Sequence, residues 1–143
     1  MTPELIKLGL LMLAMTPLLV ANLRSGNVPN GLVGLLLACG IAVAVLGPSF
    51  GAAPFVTSSL VWWAAGSVLL LAAAIFRAVS GGVAKFLIAL IPWYGVEQYL
   101  IVVTLGMLLA AAIGKFAGSG RALVVPPVMS AALGVGIWSA IAS

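Results

Sequence analysis

The sequence predicts an all-α polytopic membrane protein with about six transmembrane helices in one bundle. Of its 143 residues, 64% are hydrophobic and only 6% are charged, whereas a soluble domain carries about 25% charged residues. A membrane-spanning helix needs about 20 apolar residues. The chain therefore has room for about six spans joined by short turns. No length remains for a soluble domain, and we expect residues 1–143 to form a single transmembrane bundle.

Apolar runs separated by segments rich in polar residues, glycine or proline give the boundaries of the spans. The loops are predicted at residues 22–30, 47–54, 77–82 and 114–120. Proline interrupts the first and fourth spans, and two prolines lie near the start of the last. We expect the first span to be retained, because no small-x-small cleavage site follows it. The six predicted spans are Leu5–Ala21, Gly31–Leu46, Thr57–Phe76, Val83–Tyr94, Tyr99–Ala112 and Leu123–Ile141.

The basic residues predict the orientation of the bundle. Because basic loops favour the cytoplasmic side, both termini are expected outside. Lys7 is predicted on the opposite face, together with Glu4 and Glu97. Six scattered basic residues are also too few for a nucleic-acid patch. Five of the six fall after the first, third and fifth spans, namely Arg24, Arg77, Lys85, Lys115 and Arg121.

Several classes of function find no support in the composition. The chain has no histidine, and Cys39 is its single cysteine. We therefore predict no metal, haem or iron–sulfur site and no other cofactor. No charged residue is predicted at the centre of a span, where charges usually serve transport or voltage sensing. This pattern argues against a proton-coupled transporter, a pump or a voltage sensor.

Small and aromatic residues predict how the helices pack and where the membrane surfaces lie. Small residues at helical spacing are expected to make close helix contacts, either within the bundle or in a dimer. These pairs are Gly31 with Gly34, Gly114 with Gly118, and Ser130 with Gly134. Aromatic residues near span ends are expected to form an interfacial belt, with a ligand cage as the alternative. They are Trp62, Trp63, Trp93, Tyr94, Tyr99 and Trp138.

Two loop segments resemble a known family. Residues 22–30 read Asn-Leu-Arg-Ser-Gly-Asn-Val-Pro-Asn, and residues 80–87 read Ser-Gly-Gly-Val-Ala-Lys-Phe-Leu. They resemble the small type IV prepilin peptidases, membrane aspartyl endopeptidases of pilus and secretion systems. In that family the first span ends in Asp-x-Arg, a basic stretch and Ile-Pro-Asn, and the fourth opens with Gly-Gly-Gly-Asp-x-Lys-Leu-Leu. The proline-led segment at residues 125–132 also looks similar. The resemblance covers nearly the whole chain and implies a six-span protein of the bacterial inner membrane.

The chain departs from this family at its two catalytic positions. The first catalytic aspartate falls on Asn22 and the second on Val83, or on Ala84 after a one-residue slip. The chain contains no aspartate. Aspartyl peptidases need two adjacent carboxylates, one protonated and one ionised. We therefore expect the chain to be catalytically inactive.

A serine site is the other catalytic alternative. Ser25 and Ser80 lie in the same two segments, and Lys85 is the nearest residue that could serve as a base. A serine nucleophile needs such an activating base, and the chain has no histidine. An active peptidase of this or another unforeseen kind is the least favoured hypothesis.

The leading hypothesis is a catalytically inactive relative of these peptidases that binds a pilin-like or other transmembrane helix without cutting it. The alternative is a structural accessory subunit packed against a larger membrane complex. Membrane lipids are expected partners in both cases, and Arg24 and Lys85 could anchor at their head groups. The residues expected to bind under the leading hypothesis are Arg24, Pro29, Asn30, Gly81, Gly82 and Lys85.

Overall fold

Helices make up nearly all of the described chain, which comprises residues 3–50, 57–117 and 124–142 of a computed structural model. Two short 3₁₀ turns, Gly47–Phe50 and Ile91–Trp93, follow the second and fourth helices, and no strand occurs within these ranges. The predicted all-α fold class is confirmed. The helices are α1 Pro3–Ser25, α2 Asn30–Leu46, α3 Thr57–Ile75, α4 Gly81–Leu90, α5 Val96–Ala117 and α6 Val125–Ala142.

Four helices are long and apolar enough to cross a membrane. They are Pro3–Ser25, Asn30–Ser49, Val96–Ile113 and Val125–Ala142. The two other apolar helices, Leu60–Ile75 and Gly81–Trp93, are shorter over the described residues. These properties are those of an integral membrane protein, but they do not establish the predicted number of six spans.

Helix α4 is too short to cross the membrane alone. Its ten residues rise about 15 Å at 1.5 Å per residue. The 3₁₀ turn that follows has three residues and adds about 6 Å, against a hydrocarbon core of about 30 Å. Pro92 lies in the first positions of that turn, where its missing N–H cannot continue the α-helical hydrogen bonds. The predicted interruption of the fourth span by Pro92 is therefore present.

Successive helices run in opposite directions. The Ser139 hydroxyl donates to Glu4 Oε2 at 3.4 Å, which places the start of α1 beside the end of α6. The Lys85 ammonium donates to Asn30 Oδ1 at 3.0 Å, which places the start of α4 beside the start of α2. We call the end of the bundle with Glu4 and Ser139 the terminal end, and the end with residues 26–30 and 76–81 the loop end.

Helix α4 forms the centre of the bundle. It packs against α2 and α3, and Tyr99 of α5 bonds to its backbone. The five longer helices instead turn large apolar side chains outward, such as Ile141, which is 78% exposed, and Ile75, which is 77% exposed. Such side chains suit contact with lipid tails. Six of the ten α4 residues are buried, namely Val83, Ala84, Phe86, Leu87, Ala89 and Leu90.

Three aromatic residues lie in the core rather than in an interfacial belt. Trp93 Nε1 donates to the Leu36 carbonyl at 3.0 Å. The Tyr94 hydroxyl donates to the Ala132 carbonyl at 2.8 Å, and the Tyr99 hydroxyl to the Leu87 carbonyl at 2.8 Å. The belt prediction is wrong for these three residues, because the short α4 segment ends inside the bundle.

The remaining aromatic residues differ in their surroundings. Trp62 packs edge-on against Tyr99, with ring centroids 5.5 Å apart. Trp138 is 73% exposed, and it lies near the terminal end of α6. Trp138 therefore has the exposure and position that an interfacial residue requires.

Two helices end later in the chain than predicted. Helix α1 continues through Asn22 to Ser25, which the sequence placed in a loop, and it ends where Gly26 adopts a φ of +68°. The Gly26 N–H donates to the Asn22 carbonyl at 2.8 Å. Helix α5 passes Gly114 and reaches Ala117, since one internal glycine costs a helix only about 1 kcal/mol. The rest of the predicted 114–120 loop, and Arg121 and Leu123, lie outside the described residues.

The predicted close contacts fall on other glycines. A Cβ added at Gly31, Gly34 or Gly134 would meet no neighbouring atom within 4 Å. Gly118 lies outside the described residues, so the pair of Gly114 and Gly118 is not described. Helical spacing identified small residues but not the face that meets a neighbour. The described glycines that do touch another helix, turn or loop are Gly40, Gly66, Gly82, Gly106 and Gly136.

We predict that Gly106→Ala destabilises the bundle. An added Cβ would lie 2.7 Å from the Val128 Cα atom, so backbone must move, at a cost of about 1–3 kcal/mol. The matched control is Gly134→Ala in the same helix pair, where the space is open and helix propensity improves by about 1 kcal/mol. Unfolding in mixed detergent micelles measures both variants. Equal stability of the two variants would contradict the close α5–α6 contact.

Candidate functional site at the loop end

Polar side chains hold the segment between α1 and α2 in shape. The Ser25 hydroxyl donates to the Ala21 carbonyl at 2.8 Å and accepts the Asn27 N–H at 3.3 Å. Asn22 Nδ2 donates to the Asn27 carbonyl at 3.4 Å. Side chains in the last turn of α1 thus fold the following residues back over the helix end.

The segment between α3 and α4 combines a helix end with a helix start. The Ala78 N–H donates to the Ala73 carbonyl at 2.9 Å and the Arg77 N–H to Ala74 at 3.1 Å, the bonding pattern of a Schellman motif. Arg77 has a φ of 57°, a conformation that costs a non-glycine residue about 1–3 kcal/mol. Ser80 then caps α4 by accepting the Val83 N–H at 3.3 Å. This cap fixes where α4 begins.

The structure brings these two segments together. A Cβ built on Gly82 would lie 3.4 Å from Val28 Cγ2 and 3.5 Å from Val28 Cβ. Lys85 of α4 donates to Asn30 of α2 at 3.0 Å. The two stretches that resemble peptidase motifs are thus neighbours in space, although more than 50 residues separate the bonded pair in the chain.

The two positions at which the sequence resemblance would put catalytic aspartates hold no acid. Asn22 is 3% exposed and Val83 is 9% exposed. Asn22 Oδ1 is buried without a hydrogen-bond partner among the described groups. Glu4 and Glu97 begin α1 and α5, so both carboxylates lie at the terminal end, away from Asn22. The loop end can therefore donate and accept hydrogen bonds, but it has no carboxylate dyad.

The serine and lysine side chains do not form a nucleophile–base pair. Ser25 donates to a helix carbonyl, Ser80 caps α4, and Lys85 bonds to Asn30. A serine nucleophile would need its hydroxyl directed at the base. The Ser–Lys alternative therefore gains no support from this geometry. Within the described ranges no three His, Cys, Asp or Glu side chains group as metal ligands.

The other predicted binding residues lie around the same end. Arg24, Asn30, Gly81 and Lys85 are exposed, while Gly82 is half-buried. Pro29 precedes α2 in an extended conformation with φ −64° and ψ 128°. Nothing would lie within 4 Å of a Cβ at Gly81, so the first turn of α4 leaves its backbone accessible.

Sequence reasoning missed a second polar cluster, at the terminal end. Lys7 Nζ lies 4.0 Å from Glu4 Oε2 and 5.4 Å from the centre of the Tyr94 ring. Glu4 also accepts from Ser139. The Glu4–Lys7 spacing of one helical turn was the available signal, but it gave no indication that Tyr94 and Ser139 would join the pair.

Comparison with known proteins identifies no relative of the chain. No protein-family model, characterised protein or solved structure matches the chain. The functional conclusion therefore depends on the chemistry of the loop end itself.

We predict that cysteines at Val28 and Gly82 will form a disulfide in a Cys39→Ser background. The separation of 3.5 Å between Val28 Cβ and the Cβ position of Gly82 lies in the disulfide range of about 3.5–4.5 Å. The matched control pairs Val28→Cys with Gly81→Cys, whose Cβ position has no neighbour within 4 Å. Mass spectrometry after mild oxidation measures both. Equal cross-linking of the two pairs would contradict the packing of the segments.

Proposed function

We propose that this protein is a non-catalytic, prepilin-peptidase-like protein of the bacterial inner membrane that binds a pilin-like transmembrane helix without cutting it. One observation carries the proposal. The two segments that resemble the peptidase motifs pack against each other through Val28 and Gly82, while the resemblance assigns Asn22 and Val83 to the positions of the two aspartates. The arrangement suits retention of a binding surface after loss of the reaction.

The absence of chemistry follows from the residue types. An asparagine amide cannot take a proton from the attacking water, and a valine side chain has no polar atom. Loss of a general base alone lowers a rate by about 10²–10⁴. A dyad also needs its second carboxyl to polarise the peptide carbonyl. With both members replaced, binding is the function that the loop end can still perform.

Two surfaces support binding of a helix. Exposed Arg24 and Lys85 at the loop end offer cations to carboxylates or carbonyls near the membrane surface. Between α5 and α6 runs an apolar groove of about 640 Å³, whose lining includes Leu105, Gly134 and Trp138. The open space at Gly134 would let a partner backbone approach closely.

The proposed orientation follows the charges. Arg24, Arg77 and Lys85 all lie toward the loop end, and basic residues favour the cytoplasm. The loop end would then face the cytoplasm, and both termini would face outward. A bound pilin-like segment would meet the loop end at the cytoplasmic membrane surface.

We predict that the purified, reconstituted protein leaves a prepilin substrate intact over a long incubation, beside an active peptidase as control. The chain has no aspartate, so no dyad can form. Asn22→Asp combined with Val83→Asp restores two carboxylates, and cleavage by the double variant but by neither single variant would support retained catalytic geometry. Cleavage by the unmodified protein that survives mutation of Ser25, Ser80 and Lys85 would refute the inactive assignment.

Binding is tested separately from cleavage. A photo-reactive amino acid replacing Trp138 should cross-link a pilin-like transmembrane segment in co-reconstituted vesicles. The control position is Leu69 within α3, which is also highly exposed, at 71%, but does not line the α5–α6 groove and lies away from the loop end. Capture of a large complex from native membranes, with no pilin cross-link, would favour the accessory-subunit alternative.

A further inference from the structure

An apolar groove runs between α1 and α2 at the terminal end. Its volume is about 260 Å³, well above the roughly 150 Å³ that can hold a benzene molecule. On α1 it is lined by residues one turn apart, including Ile6 and Leu10, and on α2 by Cys39 and Val43. These four side chains offer nonpolar contacts.

The groove extends past the level at which the α4 segment ends. Trp93 and Pro92, at the end of the α4 segment, reach α2 at Gly40. Beyond Gly40 the groove is lined by Ala42, Val43 and Leu46 of α2 and by Gly47 of the following 3₁₀ turn. This part of α2 therefore extends past the level at which the α4 segment packs against it.

Two opposite charges lie at the rim of the groove. Glu4 and Lys7 both line it, and 4.0 Å separates Lys7 Nζ from Glu4 Oε2, too far for a hydrogen bond. Lys7 makes no hydrogen bond to the described groups, so its three donors are available. Each side chain keeps a quarter to a third of its surface exposed, 26% for Lys7 and 33% for Glu4.

We propose that the groove between α1 and α2 binds one phospholipid with a zwitterionic, primary-amine head group. The acyl chain would lie along Leu10 and Cys39. The phosphate would accept hydrogen bonds from Lys7, and the lipid ammonium would donate to Glu4. This groove shares no lining residue with the α5–α6 groove proposed to bind a helix, and the two proposals are independent.

Charge complementarity selects this class of lipid over others. A purely anionic head would meet Lys7 favourably but Glu4 unfavourably. A quaternary amine has no N–H to donate to the Glu4 carboxylate. A primary-amine zwitterion satisfies both charges, and hydrogen bonds between ionised groups are the strong ones.

The test measures lipid adducts of the full chain by native mass spectrometry in detergent. The probes are dioleoyl phosphatidylethanolamine, phosphatidylglycerol and phosphatidylcholine with identical tails. We expect phosphatidylethanolamine to bind most tightly and to slow alkylation of Cys39 by a maleimide. Lys7→Gln should weaken its binding about tenfold or more, the loss expected for one charge-assisted hydrogen bond. Glu4→Gln should remove the tighter binding of phosphatidylethanolamine relative to phosphatidylglycerol.

Variants that fill the groove distinguish lipid binding inside it from ordinary lipid contact with the helix surface. Ala42→Phe places a ring in the groove, whereas Val45→Phe places one on an exposed position of α2 that does not line it. Only Ala42→Phe should abolish the adduct and the protection of Cys39. Equal lipid adducts for Ala42→Phe and Val45→Phe would overturn the proposal that the lipid binds in the groove. Equal affinity for the three lipids, or a preference for phosphatidylglycerol, would overturn the proposed head-group recognition.

Discussion

The rest of the bundle depends on how α4 ends inside it. In a membrane every backbone polar group needs a partner within the protein, and the last four carbonyls of a helix lack one. Two of these carbonyls in α4 are satisfied locally, because Tyr99 donates to Leu87 and the Ile91 N–H donates to Ile88. Trp93 and Tyr94, which follow α4, then donate hydrogen bonds to backbone carbonyls of α2 and α6. A helix that is too short to span is thereby stable at the centre.

The same short helix positions the surfaces with proposed functions. Its first turn meets Val28 and Asn30 at the loop end, next to the buried Asn22. At the other end it stops at the level of Gly40. The apolar groove with Lys7 and Glu4 begins at Cys39 and extends past that level along Ala42, Val43 and Leu46. The loop end, which lacks catalytic carboxylates, and the proposed lipid site thus lie toward opposite ends of this helix.

The features that could be predicted from the sequence are those that depend on composition and on the positions of proline. Long apolar runs and Pro92 gave the helices and the break after α4. The prediction of close helix contacts failed, because residue spacing alone does not show which face of a helix meets a neighbour. A Cβ at Gly106 would meet Val128, whereas one at Gly134 would meet no atom within 4 Å. Sequence reasoning also placed Trp93 and Tyr94 at the membrane surface, since their burial depends on α4 being central. At the candidate site, the residues Asn22 and Val83 were identified from the resemblance alone, and the contact of Val28 with Gly82 required the fold.

The most direct test of the central aromatic cluster is tryptophan quenching by brominated lipids placed at several depths in reconstituted vesicles. One variant keeps only Trp93 and carries phenylalanine at positions 62, 63 and 138. Its control keeps only Trp138. Because Trp93 is 0% exposed and Trp138 is 73% exposed, a buried α4 end predicts weak quenching of Trp93 at every depth and strong quenching of Trp138. Quenching of Trp93 as strong as that of Trp138 would contradict the burial of the α4 end.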